Sequence, residues 1–120
     1  MGYTFKNIKV WCKAHELVLE TYKITKLFPN SETYGLTAQL RRSVASVATS
    51  IVEGYKRKGV KDFAHFLNMA DSSLEETKYH ILLARDLKYI DDDNHERLIT
   101  MSEEVGRILN GFQKSLRPIT

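Results

Sequence analysis

The chain has little of what most small stabilised folds rely on. Its one cysteine, Cys12, excludes an internal disulfide framework and any cysteine-based zinc finger, and suits a reducing cytoplasm. Only two prolines and six glycines occur, which excludes collagen-like, mucin-like and repetitive all-β designs. No stretch approaches the roughly 18 apolar residues of a membrane span. The opening MGYTFKNIKVWCKAHE carries lysines without the apolar run of a signal peptide, and Lys6 stands where myristoylation needs Ser or Thr. A soluble, cytoplasmic protein is expected. The net charge of +3 is too weak on its own to demand a nucleic-acid partner. What is present is a 42% hydrophobic share, well above that of a disordered chain, on a length that suits one domain spanning 1–120.

The apolar residues are spaced for helices. Val10, Ala14, Leu17, Thr21, Ile24 and Phe28 alternate steps of four and three until Pro29 stops them. Leu36, Leu40, Val44, Val47 and Ile51 form a second stripe, with Thr33 or Ser31 as the N-cap and an end between Gly54 and Gly59. Phe63, Leu67, Ala70, Leu74, Thr77, Ile81 and Ala84 form a third, which Asp91-Asp92-Asp93-Asn94 breaks while offering caps to the next helix. Leu98, Met101, Val105, Ile108, Leu109, Phe112 and Leu116 form the fourth, and Pro118 marks its end. The spacing predicts helices over roughly 8–28, 34–57, 60–89 and 92–116. Short connections make them antiparallel neighbours, so the expected fold is an all-α up-down-up-down four-helix bundle.

Residues 1–60 carry 10 basic and 4 acidic groups, and residues 61–120 carry 8 and 11. Opposite signs on two parts of one domain suggest self-association and attraction of an anion. The second helix adds to the first suggestion. Opposite its core stripe it presents Ala38, Arg42, Ala45, Thr49, Val52 and Glu53, where an ordinary exposed face would be rich in Lys, Glu and Gln. Small and β-branched residues let a neighbour pack closely, so this helix reads as buried on both sides, its spare face against another copy. Arg42 and Glu53 lie about 16 Å apart along the axis and cannot pair within the helix. Each needs a partner if buried, and Glu76 is a candidate member of such a network.

Several runs carry a family resemblance. They are Tyr34-Gly35-Leu36-Thr37-Ala38-Gln39-Leu40-Arg41-Arg42-Ser43-Val44-Ala45-Ser46-Val47, then Ser50-Ile51-Val52-Glu53-Gly54, then Phe63, Phe66-Leu67, Ala70, Ser73, Glu76 and Leu83-Ala84-Arg85-Asp86-Leu87-Lys88-Tyr89. With Val10-Trp11 and the Phe28-Pro29 stop, they resemble the bacterial four-helix-bundle proteins encoded in intervening sequences of 23S rRNA genes, over roughly residues 5–115. The chain departs where that family usually has Asn-Ile-Ala-Glu-Gly, and where it has Gly-Ser before the third-helix Glu but this chain has Ser72-Ser73. The resemblance implies a homopentameric barrel of antiparallel bundles. Relatives include the accessory protein of diversity-generating retroelements, which binds nucleic acid and a reverse transcriptase.

The candidate chemistry is binding, not catalysis. Arg41, Arg42, Lys56, Arg57, Lys58 and Lys61 can neutralise phosphates, with Tyr55 available to stack on a base. The plainer reading of 56–61 is a solvated turn that caps its helix. No P-loop, G-x-S-x-G or H-E-x-x-H is present, so no catalytic residue is assigned and no enzyme is expected. The residues three before His15, His65, His80 and His95 are Cys12, Asp62, Thr77 and Asp92, which does not make a Glu-x-x-His di-iron set, so neither metal nor cofactor is expected. Two readings stand: a homo-oligomeric nucleic-acid-binding accessory factor, or a protein scaffold docking an enzyme encoded nearby.

Overall fold

The computed structural model describes residues 2–116. A short 3-10 turn over Thr4–Asn7 leads into α1 (Lys9–Thr25), and a second over Asn30–Glu32 leads into α2 (Leu36–Tyr55). The chain continues through α3 (Val60–Asp86) and α4 (Asp92–Ser115), with no strand among the described residues. α1 packs on α2 and α4, and α3 packs on the same two, so the four helices form an antiparallel bundle. Each of the four expected stripes supplies the core: Leu17, Leu40, Val47, Ile51, Leu67, Leu74, Ile81, Leu98, Val105 and Leu109 are all essentially inaccessible to solvent. Burying side chains of this size stabilises by roughly 1.5–3 kcal/mol each.

The helix ends depart from the sequence expectation in instructive ways. α1 stops at Thr25, short of Phe28, because the chain tightens into 3-10 bonds from Leu27 to Ile24 and from Phe28 to Thr25 before Pro29. Phe28 is still buried, with its ring 5.5 Å from that of Tyr89. Neither Ser31 nor Thr33 caps α2. The Glu32 carboxylate does so from upstream, accepting the Leu36 N–H at 2.9 Å and the Tyr89 hydroxyl at 2.7 Å. The Thr33 hydroxyl instead donates to the Asn30 carbonyl. α3 ends in a Schellman turn, with Tyr89 N–H on the Ala84 carbonyl and Lys88 N–H on the Arg85 carbonyl. Lys88 holds the left-handed position at φ 65°. Asp91 caps α4 as expected, accepting the Asn94 N–H at 2.8 Å. Pro118 lies outside the described residues.

α2 and α3 make the closest approach. Ser43 and Thr77 hydroxyls meet at 2.9 Å, and so do those of Ser46 and Ser73. Gly54 closes this seam: a Cβ there would stand 2.8 Å from the Phe66 Cβ. Ser73 is thus a bonding member of the contact.

Candidate nucleic-acid interface

An antiparallel bundle gathers distant sequence at its ends. The start of α1, the end of α2, the start of α3 and the end of α4 meet around an apolar recess of about 140 Å³ lined by Ile8, Ile51, Tyr55, Phe63 and Phe112. Lys56, Arg57, Lys58 and Lys61 surround the α2–α3 connection at this end, all exposed. Lys56, Lys58 and Lys61 make no ion pair among the described residues, and the Arg57 guanidinium lies 4.7 Å from the Phe66 ring centroid. Lys56, Arg57 and Lys58 follow the carbonyl end of α2, where the helix dipole favours cations, and Lys61 lies in the first turn of α3. Lys6 and Lys9 lie at the same end, which also carries the acids Glu53 and Asp62. The opposite end holds Asp86, Asp91, Asp92, Asp93 and Glu96 together with Lys23, Lys26, Arg85, Lys88 and Arg97. The cation excess thus lies at the end where α2 and α3 join, while the opposite end is mixed in sign.

Arg41 and Arg42 stand apart from this cluster. Fifteen residues separate Arg41 from Lys56, which is about 22 Å along α2. Arg41 is half-buried, with its Nε donating to Thr25 Oγ1 at 2.8 Å and its Nη2 to the Tyr22 carbonyl at 3.2 Å. Its guanidinium lies 4.6 Å from the Tyr22 ring centroid. That is a clamp between α1 and α2 near the last turn of α1. Arg42 points out with the exposed Thr49 and Glu53 and the half-buried Ala38, Ala45 and Val52, so this face of α2 is open in the single chain. Arg42 and Glu53 make no ion pair among the described residues. Glu76 pairs along its own helix, 3.1 Å from Nε2 of the buried His80, whose Nδ1 is buried without a partner.

A feature at the basic end leaves little mark in the sequence: a ladder of rings. His15 stacks on Trp11 with centroids 4.8 Å apart and planes within 11°. Phe5 meets Trp11 edge-on at 4.8 Å, and Tyr3 meets Phe5 at 5.6 Å. The only signal for it was the density of aromatics before α1, which fits no helical stripe.

The shifted titrations belong to structural pairs. Hydrogen bonding to Glu104, 2.9 Å away, and its charge raise the Lys13 pKa, and Lys13 in turn lowers that of Glu104. The Leu36 N–H and then the Tyr89 hydroxyl hold Glu32 below the usual carboxylate range, and Glu32 raises Tyr89. No group of three or more His, Cys, Asp and Glu residues is placed to hold a metal among the described residues. No helix there is long and apolar enough to cross a membrane.

The model of the 23S rRNA-intervening sequence protein family matches residues 6–111, which is most of the chain. The chain belongs to that family. Among solved structures, a protein of unknown function from the S23 ribosomal protein family of Bacteroides thetaiotaomicron is similar at a TM-score of 0.79 and 25% identity, over 88% of this chain and 98% of that one. No curated protein matches. Neither description names a catalytic activity. In this member of the 23S rRNA-intervening sequence family, Lys56, Lys58 and Lys61 are cations of the α2–α3 end without an ion pair among the described residues.

Proposed function

We propose that the chain is a non-enzymatic, homo-oligomeric bundle protein that binds nucleic acid through its basic end, as an accessory factor. The observation that carries this reading is the convergence of Lys56, Arg57, Lys58 and Lys61 around one turn, with no acidic partner for the three lysines among the described residues. Unpaired cations at one pole suit a polyanion, whose binding gains free energy by releasing counterions. One copy offers a weak patch. Several copies offer a strong one through avidity. The open α2 face of Ala38, Ala45, Thr49 and Val52 supports assembly, and we infer the pentamer that the resemblance implies, in a cytoplasmic setting.

Size exclusion with light scattering, run with a structured-RNA pool at two salt concentrations, tests the reading. Neutralising three phosphates predicts a loss of roughly 20–40-fold in affinity between about 50 and 200 mM salt. Changing Lys56, Arg57 and Lys58 to Glu removes the binding. An oligomer that ignores RNA at low salt refutes the reading and favours the alternative supported by the same open α2 face, a scaffold that docks another protein. A monomer refutes the assembly.

A further inference from the structure

The basic end carries rings as well as cations. Tyr3 heads the ladder through Phe5 to Trp11 and is 65% exposed, with the Lys6 ammonium 4.9 Å from its centroid. Tyr55 is 47% exposed and directly precedes Lys56. Helix register brings the two together. Thr25 and Arg41 are bonded across the α1–α2 pair. Trp11 lies fourteen residues before Thr25 and Tyr55 fourteen after Arg41, so in antiparallel helices both rise about 21 Å from that bond and arrive level with each other. Trp11 also shares Thr25's flank of α1, two heptads away, and that is the flank facing α2. The ladder thus stands beside the last turn of α2, where the lysines begin.

Among nucleic acids, exposed ring faces at such a site suit bases that are out of pair. A duplex covers both faces of every internal base, and its phosphates alone would be served by cations without aromatics. A single strand offers alternating phosphates and free base faces, which interleaved lysines and tyrosines match. Resting on the nucleic-acid reading above, we propose that the basic end takes single-stranded nucleic acid, with phosphates on Lys56, Lys58 and Lys61 and unpaired bases on the Tyr3 and Tyr55 rings.

Trp11 is the only tryptophan in the chain and sits at the centre of the ladder, so its fluorescence reports the site. The intact protein is titrated at low salt with a short oligouridine and with a hairpin duplex of equal charge. The oligouridine is expected to bind at least about tenfold more tightly and to change the Trp11 emission. Tyr3→Ala is expected to weaken it roughly 5–100-fold, the worth of one stacked base, and Tyr3→Phe to keep it. Tyr3 is exposed, so Tyr3→Ala should melt like the parent, and circular dichroism checks that it does. Equal affinity for both ligands overturns the single-strand assignment and leaves nucleic-acid binding intact. Unchanged oligouridine affinity in a folded Tyr3→Ala overturns the stacking role. Failure of both ligands to bind overturns this inference together with the reading it rests on.

Discussion

Replacing Gly54 with alanine adds one methyl where α2 runs closest to α3. The new carbon would stand 2.8 Å from Phe66 Cβ and 3.1 Å from Phe63 Cδ1. Comfortable carbon contacts need about 3.5–4.0 Å. The Phe63 ring has freedom to turn aside. Phe66 Cβ has none, since it is fixed to the α3 backbone, so the helices must part locally by most of an ångström. Overpacking of this kind costs about 1–3 kcal/mol. Alanine recovers about 0.5–1 kcal/mol of helix propensity over glycine. The steric cost wins, leaving a net loss of about 1–2 kcal/mol. For a chain of this size, that lowers Tm by roughly 4–8 °C. Gly111 supplies the control. It lies in α4 with nothing within 4 Å of an added Cβ, so Gly111→Ala should stabilise by about 0.5–1 kcal/mol. Urea unfolding followed by circular dichroism reads both, with an unchanged m-value showing that stability alone has moved. If Gly54→Ala stabilises as much as Gly111→Ala, the tight α2–α3 seam is refuted.

Other perturbations test other joints. Lys88 holds a left-handed backbone that costs a non-glycine residue roughly 1 kcal/mol, so Lys88→Gly should raise the urea midpoint, and an unchanged midpoint would contradict the Schellman turn. Glu32 has its folded pKa lowered, first by the Leu36 N–H and then by Tyr89, so its contribution is complete above the ordinary carboxylate value of 4.5 and is lost as pH falls through the folded value. Glu32→Gln should therefore be less stable than the parent at neutral pH, with the gap closing in acid, and a gap that stays constant down to about pH 3 would argue against that cap. Arg41→Ala should cost about 1–2 kcal/mol by removing the clamp to Thr25 and Tyr22, and Arg41→Lys should recover only part of it because an ammonium cannot reproduce the fork. Equal stability of Arg41→Lys and the parent in urea would show that charge alone matters there.

The core was legible in the sequence because burial imposes a period, and each of the four stripes has that period. Leu36, Leu40, Val44, Val47 and Ile51 could hardly face anything but the inside. The ends were less legible because their bonds cross between distant segments or use unusual residues. Ser31 and Thr33 have the short polar side chains that cap locally, but the N–H of Leu36 goes to Glu32, which Tyr89 reaches from 57 positions away to hold in place. The stop of α3 went unmarked because lysine stands where glycine normally announces the turn.

The site was half legible for a related reason. Residue types named every cation, and only the topology could sort them. Arg41 and Arg42 adjoin in sequence, yet the roughly 100° between neighbours on a helix sends one into the α1–α2 clamp and the other outward. Lys6 and Lys61 are far apart in sequence, yet the bundle's turns return both to one end. The rings before α1 were hidden by the same rule. An aromatic that packs on another aromatic outside the helical stripes leaves no period to read, and Trp11 comes level with Tyr55 only through the α1–α2 register, which the Thr25–Arg41 bond marks two heptads away. The clamp at one end of the α1–α2 pair and the rings at its other end thus share one helix register. Loosening that clamp by Arg41→Ala should blur the Trp11 environment even though the two sites share no contact.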